Sequence, residues 1–395
     1  MKNQLEILAE MAVPEAQALG VVHTPREILR QTAYWKDSAK RVESRKVDLL
    51  KLIDSAQAVP GGKGRLILSG AGSSDFICRS AEYALRGKLG ADVCVHPTTD
   101  LVTSVQGILV ENVPYLMISV ARSGDSPESV GAVEVVEKAC SDVRHLAITC
   151  NPKGALAGLV ASKQPRGEVV VLDEATNDQG LAMTASFTNL VVACQALSHL
   201  NDFDRYAGIL DAMVREAEQI LHREVAKLYT IANLQISRAV FLGDGALFGA
   251  ARECALKVQE LTDGTVMTLA ETFLGLRHGP AAVIDDKTLL VYLVSSGKSA
   301  RPYELDLVRQ HKDAGFGRAR LAVGYELSDG LSELVDEFVR LGGESGDVIP
   351  DELRPPVDVI VGQVLGLLKS LDLGLKPDEP SRSISRVVQG VVLHI

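Results

Sequence analysis

The stretch Leu66-Ile67-Leu68-Ser69-Gly70-Ala71-Gly72-Ser73-Ser74 has a counterpart 173 residues further on, Ala239-Val240-Phe241-Leu242-Gly243-Asp244-Gly245. The run Tyr115–Ser123 closing on Gly124 and the run Leu289–Ser296 closing on Gly297 keep that offset, while Leu146-Ala147 and Leu321-Ala322 stand 175 apart. A near-constant offset across three apolar runs is the sign of a duplicated domain. Chance likeness between two halves would not hold register over several elements. The expected layout is an N-terminal helical segment over 1–45, one unit over 46–215 and a second over 216–395.

Within the first unit, apolar runs alternate with amphipathic ones. Strands are expected at 66–70, 93–95, 115–121, 145–149 and 169–172. Helices are expected at 75–89, 98–107, 127–140 and from about 182 to 200. Alternation at these lengths implies an α/β chain with a doubly wound parallel sheet in each copy. A chain of 395 residues has room for two such domains. Residues 1 to about 60 read as helical, with Thr24 as cap and Pro25 at the first helical position. Pro60-Gly61-Gly62 then breaks the chain before the first strand.

The formal charge of −10 argues against a nucleic-acid or anionic-membrane partner, which needs a broad basic face. No run approaches the ~20 apolar residues of a membrane span, and the acidic N-terminus shows no signal peptide. The six cysteines form no C-x-x-C pair and suggest no zinc site, so reduced thiols in a cytoplasmic protein are expected.

Three hydroxyl-rich loops follow expected strands of the first unit. Gly70–Ser74 puts Gly72, Ser73 and Ser74 where a helix's free N–H groups begin, a ready anion seat. Arg122-Ser123-Gly124-Asp125-Ser126-Pro127 lies at the end of the next central strand, in the crevice where open α/β sheets take ligands. Thr176–Thr184 opens the long helix. Each alone could be an ordinary Ser or Thr cap; three at strand-to-helix junctions favour an anion pocket. The second copy carries Asp244, Ala246 and Leu247 where the first has Ala71, Ser73 and Ser74. Phosphate is therefore expected in the first copy and reaction chemistry in the second.

On the expected helix 247–262, Glu253, Lys257 and Glu260 stand at i, i+4 and i+7 and share a face. The plain alternative is a solvated Glu–Lys ladder. His278, in Gly275-Leu276-Arg277-His278-Gly279-Pro280, could move a proton near neutral pH, or simply bond local backbone.

The loops, the repeat and the run Phe241-Leu242-Gly243 … Ala255-Leu256-Lys257-x-x-Glu260 … His278-Gly279-Pro280 together resemble the sugar isomerase (SIS) superfamily, whose domains are flavodoxin-like. Over about 46–395 the chain is similar to the tandem isomerase domains of glucosamine-6-phosphate synthase without its glutaminase domain. The Ala-Arg-Ser-Gly-Asp-Ser-Pro-Glu-Ser loop resembles the AgaS-type branch of galactosamine-6-phosphate deaminase/isomerases, formerly tagatose-6-phosphate ketose/aldose isomerases.

The resemblance implies that Gly72, Ser73, Ser74, Arg122, Ser123, Ser126, Thr184 and Arg386 bind the substrate or its phosphate. It implies Glu260 as the carboxylate moving a proton between C1 and C2, with Lys257 and Glu253 near the sugar. His278 would open the sugar ring and come from a neighbouring subunit, in a dimer or tetramer with a shared site. No metal or cofactor is implied. Three positions depart from the synthase pattern. Arg122 replaces a glutamine and Asp244 a common arginine. Arg386 replaces a lysine that forms a Schiff base, which a guanidinium cannot do. The reading that follows is conversion of D-galactosamine 6-phosphate to D-tagatose 6-phosphate and ammonia. A plain tagatose-6-phosphate ketose/aldose isomerase and a non-catalytic sugar-phosphate sensor are the alternatives.

Overall fold

In the computed structural model of the chain, residues 2–58, 61–342, 348–381 and 392–395 are described; Pro60 and Arg386 lie outside them. The described strands form two five-stranded sheets. The first holds β1 (Arg65–Ser69), β2 (Asp92–Val95), β3 (Tyr115–Ala121), β4 (Val143–Thr149) and β5 (Gly167–Val171). The second holds β6 (Arg238–Leu242), β7 (Met267–Glu271), β8 (Thr288–Leu293), β9 (Ala319–Tyr325) and β10 (Glu337–Leu341).

Every pairing is parallel. The first sheet runs β2-β1-β3-β4-β5 and the second, read from its β7 edge, repeats that order. This is the doubly wound flavodoxin-like arrangement, with its switch point between the β1 and β3 type strands. Register repeats as well: Arg65 lies opposite Tyr115, and Arg238 opposite Thr288, both 173 residues on. The turn out of the first strand is also copied. Gly72 has φ 58°, ψ −126° and Gly245 has φ 58°, ψ −127°, a backbone conformation that strongly favours glycine.

β3 and β8 are buried along their whole length, as central parallel strands with both faces covered must be. Ile67, Met117, Val133, Val136 and Leu156 pack one core. Val240, Leu242, Leu290, Tyr292 and Val308 pack its counterpart.

The chain divides into two compact units, at other points than the sequence suggests. The first domain holds Ala33–Asn177, Ala185–Leu210 and residues 392–395. The second holds residues 2–32, Asp178–Thr184 and the described part of 211–381. The segment 1–45 is thus shared out. Trp35 donates to Thr188 (3.0 Å) and Ser38 to Asn189 (2.8 Å), which ties its later part to the first domain. Asn3 donates to the Leu221 carbonyl (2.9 Å) and Gln31 to Gln363 (2.8 Å), which ties its earlier part to the second.

Thr24 does not act as a cap. It begins the helix Thr24–Arg30, whose N-terminus is capped by Asp378, accepting from Thr24 N (2.7 Å), Thr24 Oγ1 (2.8 Å) and His23 N. All six cysteines are free thiols. Among the described residues no helix is long and apolar enough to cross a membrane.

Candidate active site

In the first domain, β1 ends at Ser69 and the chain turns through Gly70–Gly72 into the helix Ser73–Leu89. Ser73 and Ser74 occupy its first two positions and are largely buried. Ser74 N and Asp75 N donate to the Ala71 and Gly72 carbonyls (both 3.0 Å), so what this end offers an anion is the positive end of the helix dipole and the two hydroxyls.

The loop after β3 is held from one side by the loop after β4. Thr149 Oγ1 donates to the Arg122 carbonyl (3.2 Å), Asn151 Nδ2 to the Ser123 carbonyl (2.9 Å) and Leu156 N to the Gly124 carbonyl (2.9 Å). The Asp125 carboxylate accepts from Ala155 N (2.9 Å) on the same side. In a trans peptide the carbonyl and the next N–H point opposite ways. The N–H groups of Ser123, Gly124 and Asp125 therefore face away from that clamp. Ser123 is exposed, and Ser126 caps the following helix by accepting from Ser129 N (3.2 Å). Asp125 lies within the loop the sequence points to, whereas Asn151 is signalled only by the Asn151-Pro152 turn after β4.

Beneath these loops, Ser69 and Ser119 lie side by side on β1 and β3. Both hydroxyls are buried with no hydrogen-bond partner among the described residues. Buried hydroxyls of this kind belong beside ordered water or a ligand. Their counterparts in the second sheet are Leu242 and Tyr292, which pack in the core.

The third loop is different. Its Gln179 and Gly180 N–H groups donate to Glu27 (2.6 and 3.2 Å), and Thr184 donates through N (2.7 Å) and Oγ1 (3.0 Å) to Asp178. Thr184 is fully buried and belongs to the second domain. The chain's own carboxylates thus occupy the donors expected to meet phosphate. Burial, with Asp178 adding to it, pushes the Glu27 carboxyl up to about 7.

In the second domain the helix Ala246–Leu261 carries the triad. Glu253 and Lys257 are buried, which rules out a solvated ladder. Lys257 Nζ lies 2.6 Å from Glu260 Oε2 and 3.3 Å from Glu253 Oε1. Burial alone would lower the Lys257 ammonium, but Glu253 and then Glu260 outweigh it and hold it above its ordinary value. Lys257 is therefore a fixed positive donor, and Glu253 its buried counter-charge. The Glu260 side chain is 34% exposed, so of the two acids it is the one open to a substrate.

The helix Pro355–Asp372 fixes this arrangement from behind. A Cβ on Gly362 would fall 2.5 Å from Cys254 Cα, and one on Gly366 2.9 Å from the Lys257 carbonyl. Two glycines one turn apart let the backbones approach at the level of the triad.

His278 lies exposed on the turn after the short helix Phe273–Leu276, its backbone N–H donating to Gly275 O (3.0 Å). Among the described residues no hydrogen bond joins its ring to Glu260 or Lys257.

The second domain's counterpart of the Ser123 loop is closed by acids. Ser295 N donates to Glu304 (2.7 Å), and Ser296 N and Gly297 N donate to Asp351 (both 3.0 Å). Sequence reasoning did not find Glu304 or Asp351.

No family model matches the chain. An AgaS protein of Streptomyces coelicolor is 40% identical over 377 residues, covering 94% of this chain and 95% of its own. The D-galactosamine-6-phosphate deaminase AgaS of Escherichia coli is 34% identical over 409 residues, covering 98% and 99%. The solved tagatose-6-phosphate ketose/aldose isomerase of Escherichia coli matches with a TM-score of 0.84 at 31% identity, covering 94% of this chain and 96% of that one.

Proposed function

The chain belongs to the AgaS family of the sugar isomerase superfamily, and from that premise we propose that it converts D-galactosamine 6-phosphate to D-tagatose 6-phosphate and ammonia. The observation that carries the reading is the Glu253–Lys257–Glu260 arrangement: a buried carboxylate, a buried ammonium and a solvent-facing carboxylate on one helix face.

In this reading Gly72, Ser73, Ser74, Arg122, Ser123 and Ser126 take the phosphate. His278 opens the sugar ring, supplied by another subunit of a cytoplasmic homo-oligomer. Glu260 removes the proton from C2 of the open-chain amino aldose; the C2–H electron pair becomes the C1–C2 double bond of an enolamine as the C1=O π pair moves onto O1. Glu260 returns the proton to C1 and a nitrogen-bound proton passes to O1, which leaves a C2 imine beside a C1 alcohol. Water adds to C2, the C–N bond breaks, and ammonia departs as the ketose forms. The Lys257 ammonium stabilises negative charge developing next to the reacting carbons.

The 31% likeness to a tagatose-6-phosphate ketose/aldose isomerase favours a second reading, isomerisation without loss of nitrogen. A panel of hexosamine and ketose 6-phosphates, assayed separately for ammonia and for isomerised product, decides between them. Stoichiometric ammonia from galactosamine 6-phosphate supports deamination. Isomerisation of tagatose 6-phosphate with no ammonia from any amino sugar overturns it.

A further inference from the structure

We propose that the loop after β8 is a second oxyanion seat, specific for a small carboxylate or phosphate, which the chain closes with its own Asp351. The loop stands where the Ser123 loop stands in the first domain, with Ser296 and Gly297 in place of Ser123 and Gly124. Asp351 lies across it as a ligand would. Oδ1 accepts from Ser296 N (3.0 Å), Ser296 Oγ (2.9 Å) and Arg354 Nη1 (2.9 Å). Oδ2 accepts from Ser296 N and Gly297 N, each at 3.0 Å. Four donors, one of them shared between both oxygens, match the acceptor capacity of a carboxylate.

The seat is built without Asp351. Arg354 is completely buried and is fixed by Asp358 (2.6 and 3.1 Å) and the Val294 carbonyl (2.8 Å), with the Tyr325 ring 5.5 Å away. A Cβ on Gly297 would fall 3.4 Å from Asp351 Oδ2, an ordinary van der Waals contact, so the occupant lies directly against the loop backbone. The Asp351 side chain is 24% exposed, which gives a solvent ion a route in once the carboxylate is removed. Each chain thus carries two copies of one anion-binding loop, and the second is occupied from within.

The test uses the full chain and thermal unfolding of wild type, Asp351→Ala and Asp351→Asn, in sodium formate, sodium phosphate and sodium chloride at matched ionic strength. Asp351→Ala is expected to unfold about 5 °C or more below wild type. It should regain a large part of that in formate and in inorganic phosphate, beyond any gain of wild type, and none in chloride. Asp351→Asn fills the seat without charge and turns an amide toward Arg354. It should fall below wild type by less and gain no more from formate than wild type does. The proposal is overturned if Asp351→Ala responds to formate as wild type does. It is equally overturned, whether or not the alanine variant folds, if Asp351→Asn unfolds at the wild-type temperature.

Discussion

Two loops built on one plan differ in how their peptide groups are used. After β3, the carbonyls of Arg122, Ser123 and Gly124 are bound from the β4 side, the N–H groups of the same peptides point away from that clamp, and Asp125 N turns to the loop's own Ser123 Oγ (3.4 Å). After β8, the N–H groups of Ser295, Ser296 and Gly297 are bound to Glu304 and Asp351, while Arg354 and Arg301 take the carbonyls of Val294 and Ser295. The fold supplies the donors in both places. What separates the loop proposed to bind phosphate from the structural staple is whether a carboxylate from elsewhere in the chain takes its N–H groups. The thinning of hydroxyls after β6, with Asp244 at the first turn, points the same way.

The sharpest break of this division would come at Glu260. Glu260→Gln should lower kcat about a thousandfold, with the unfolding midpoint near that of wild type. A variant that turns over normally would leave the second domain without its reaction role. Next is Lys257→Met, which strands a buried acid at Glu253. A loss of about 3–5 kcal/mol in urea unfolding is expected, partly recovered when Glu253→Gln is added.

The third test is pH. Burial, with Asp244 adding to it, pushes the Glu304 carboxyl up to about 7, against the Ser295 donors. A carboxyl raised in the folded state favours folding most at low pH, where it is neutral, and that contribution is lost as pH climbs toward 7. Wild type should therefore lose up to about 3 kcal/mol relative to Glu304→Gln between pH 4.5 and 8, read from denaturant curves along a pH series. A flat difference would remove the strained acid from the staple.

The smallest effects should come from the matched pair. Ser123→Ala should raise KM about tenfold and leave stability nearly unchanged. Ser296→Ala should cost about 1 kcal/mol of stability and leave KM unchanged. Equal KM effects from both would erase the contrast between the loops.

The repeat was legible because each copy needs glycine at the same turn and an apolar run of the same length. Glu253, Lys257 and Glu260 were legible as one face because helical spacing is local. Their burial was not, since it depends on Gly362 and Gly366, about a hundred residues on. The loop Thr176–Thr184 has the hydroxyls of an anion site, yet its donors are met by Asp178 and by Glu27, 152 residues earlier for Gln179. Asp351 stands 54 residues from Gly297, and Asp378 stands 354 from Thr24. Spacing rules describe near neighbours along the chain; internal ligands arrive from afar.

The contact at Gly362 and Gly366 has a practical consequence for anyone redesigning sugar preference. The segment bearing Glu260 has a rigid backstop with no slack at Cys254 or Lys257. Bulk added on that side would tilt the segment and swing the acid away from the carbon on which it is proposed to act, so substitutions there must be co-selected with changes in 362–366. A library confined to residues facing the sugar leaves the aim of Glu260 intact, whereas one that also randomises the rear face would be expected to yield well-expressed but inert proteins.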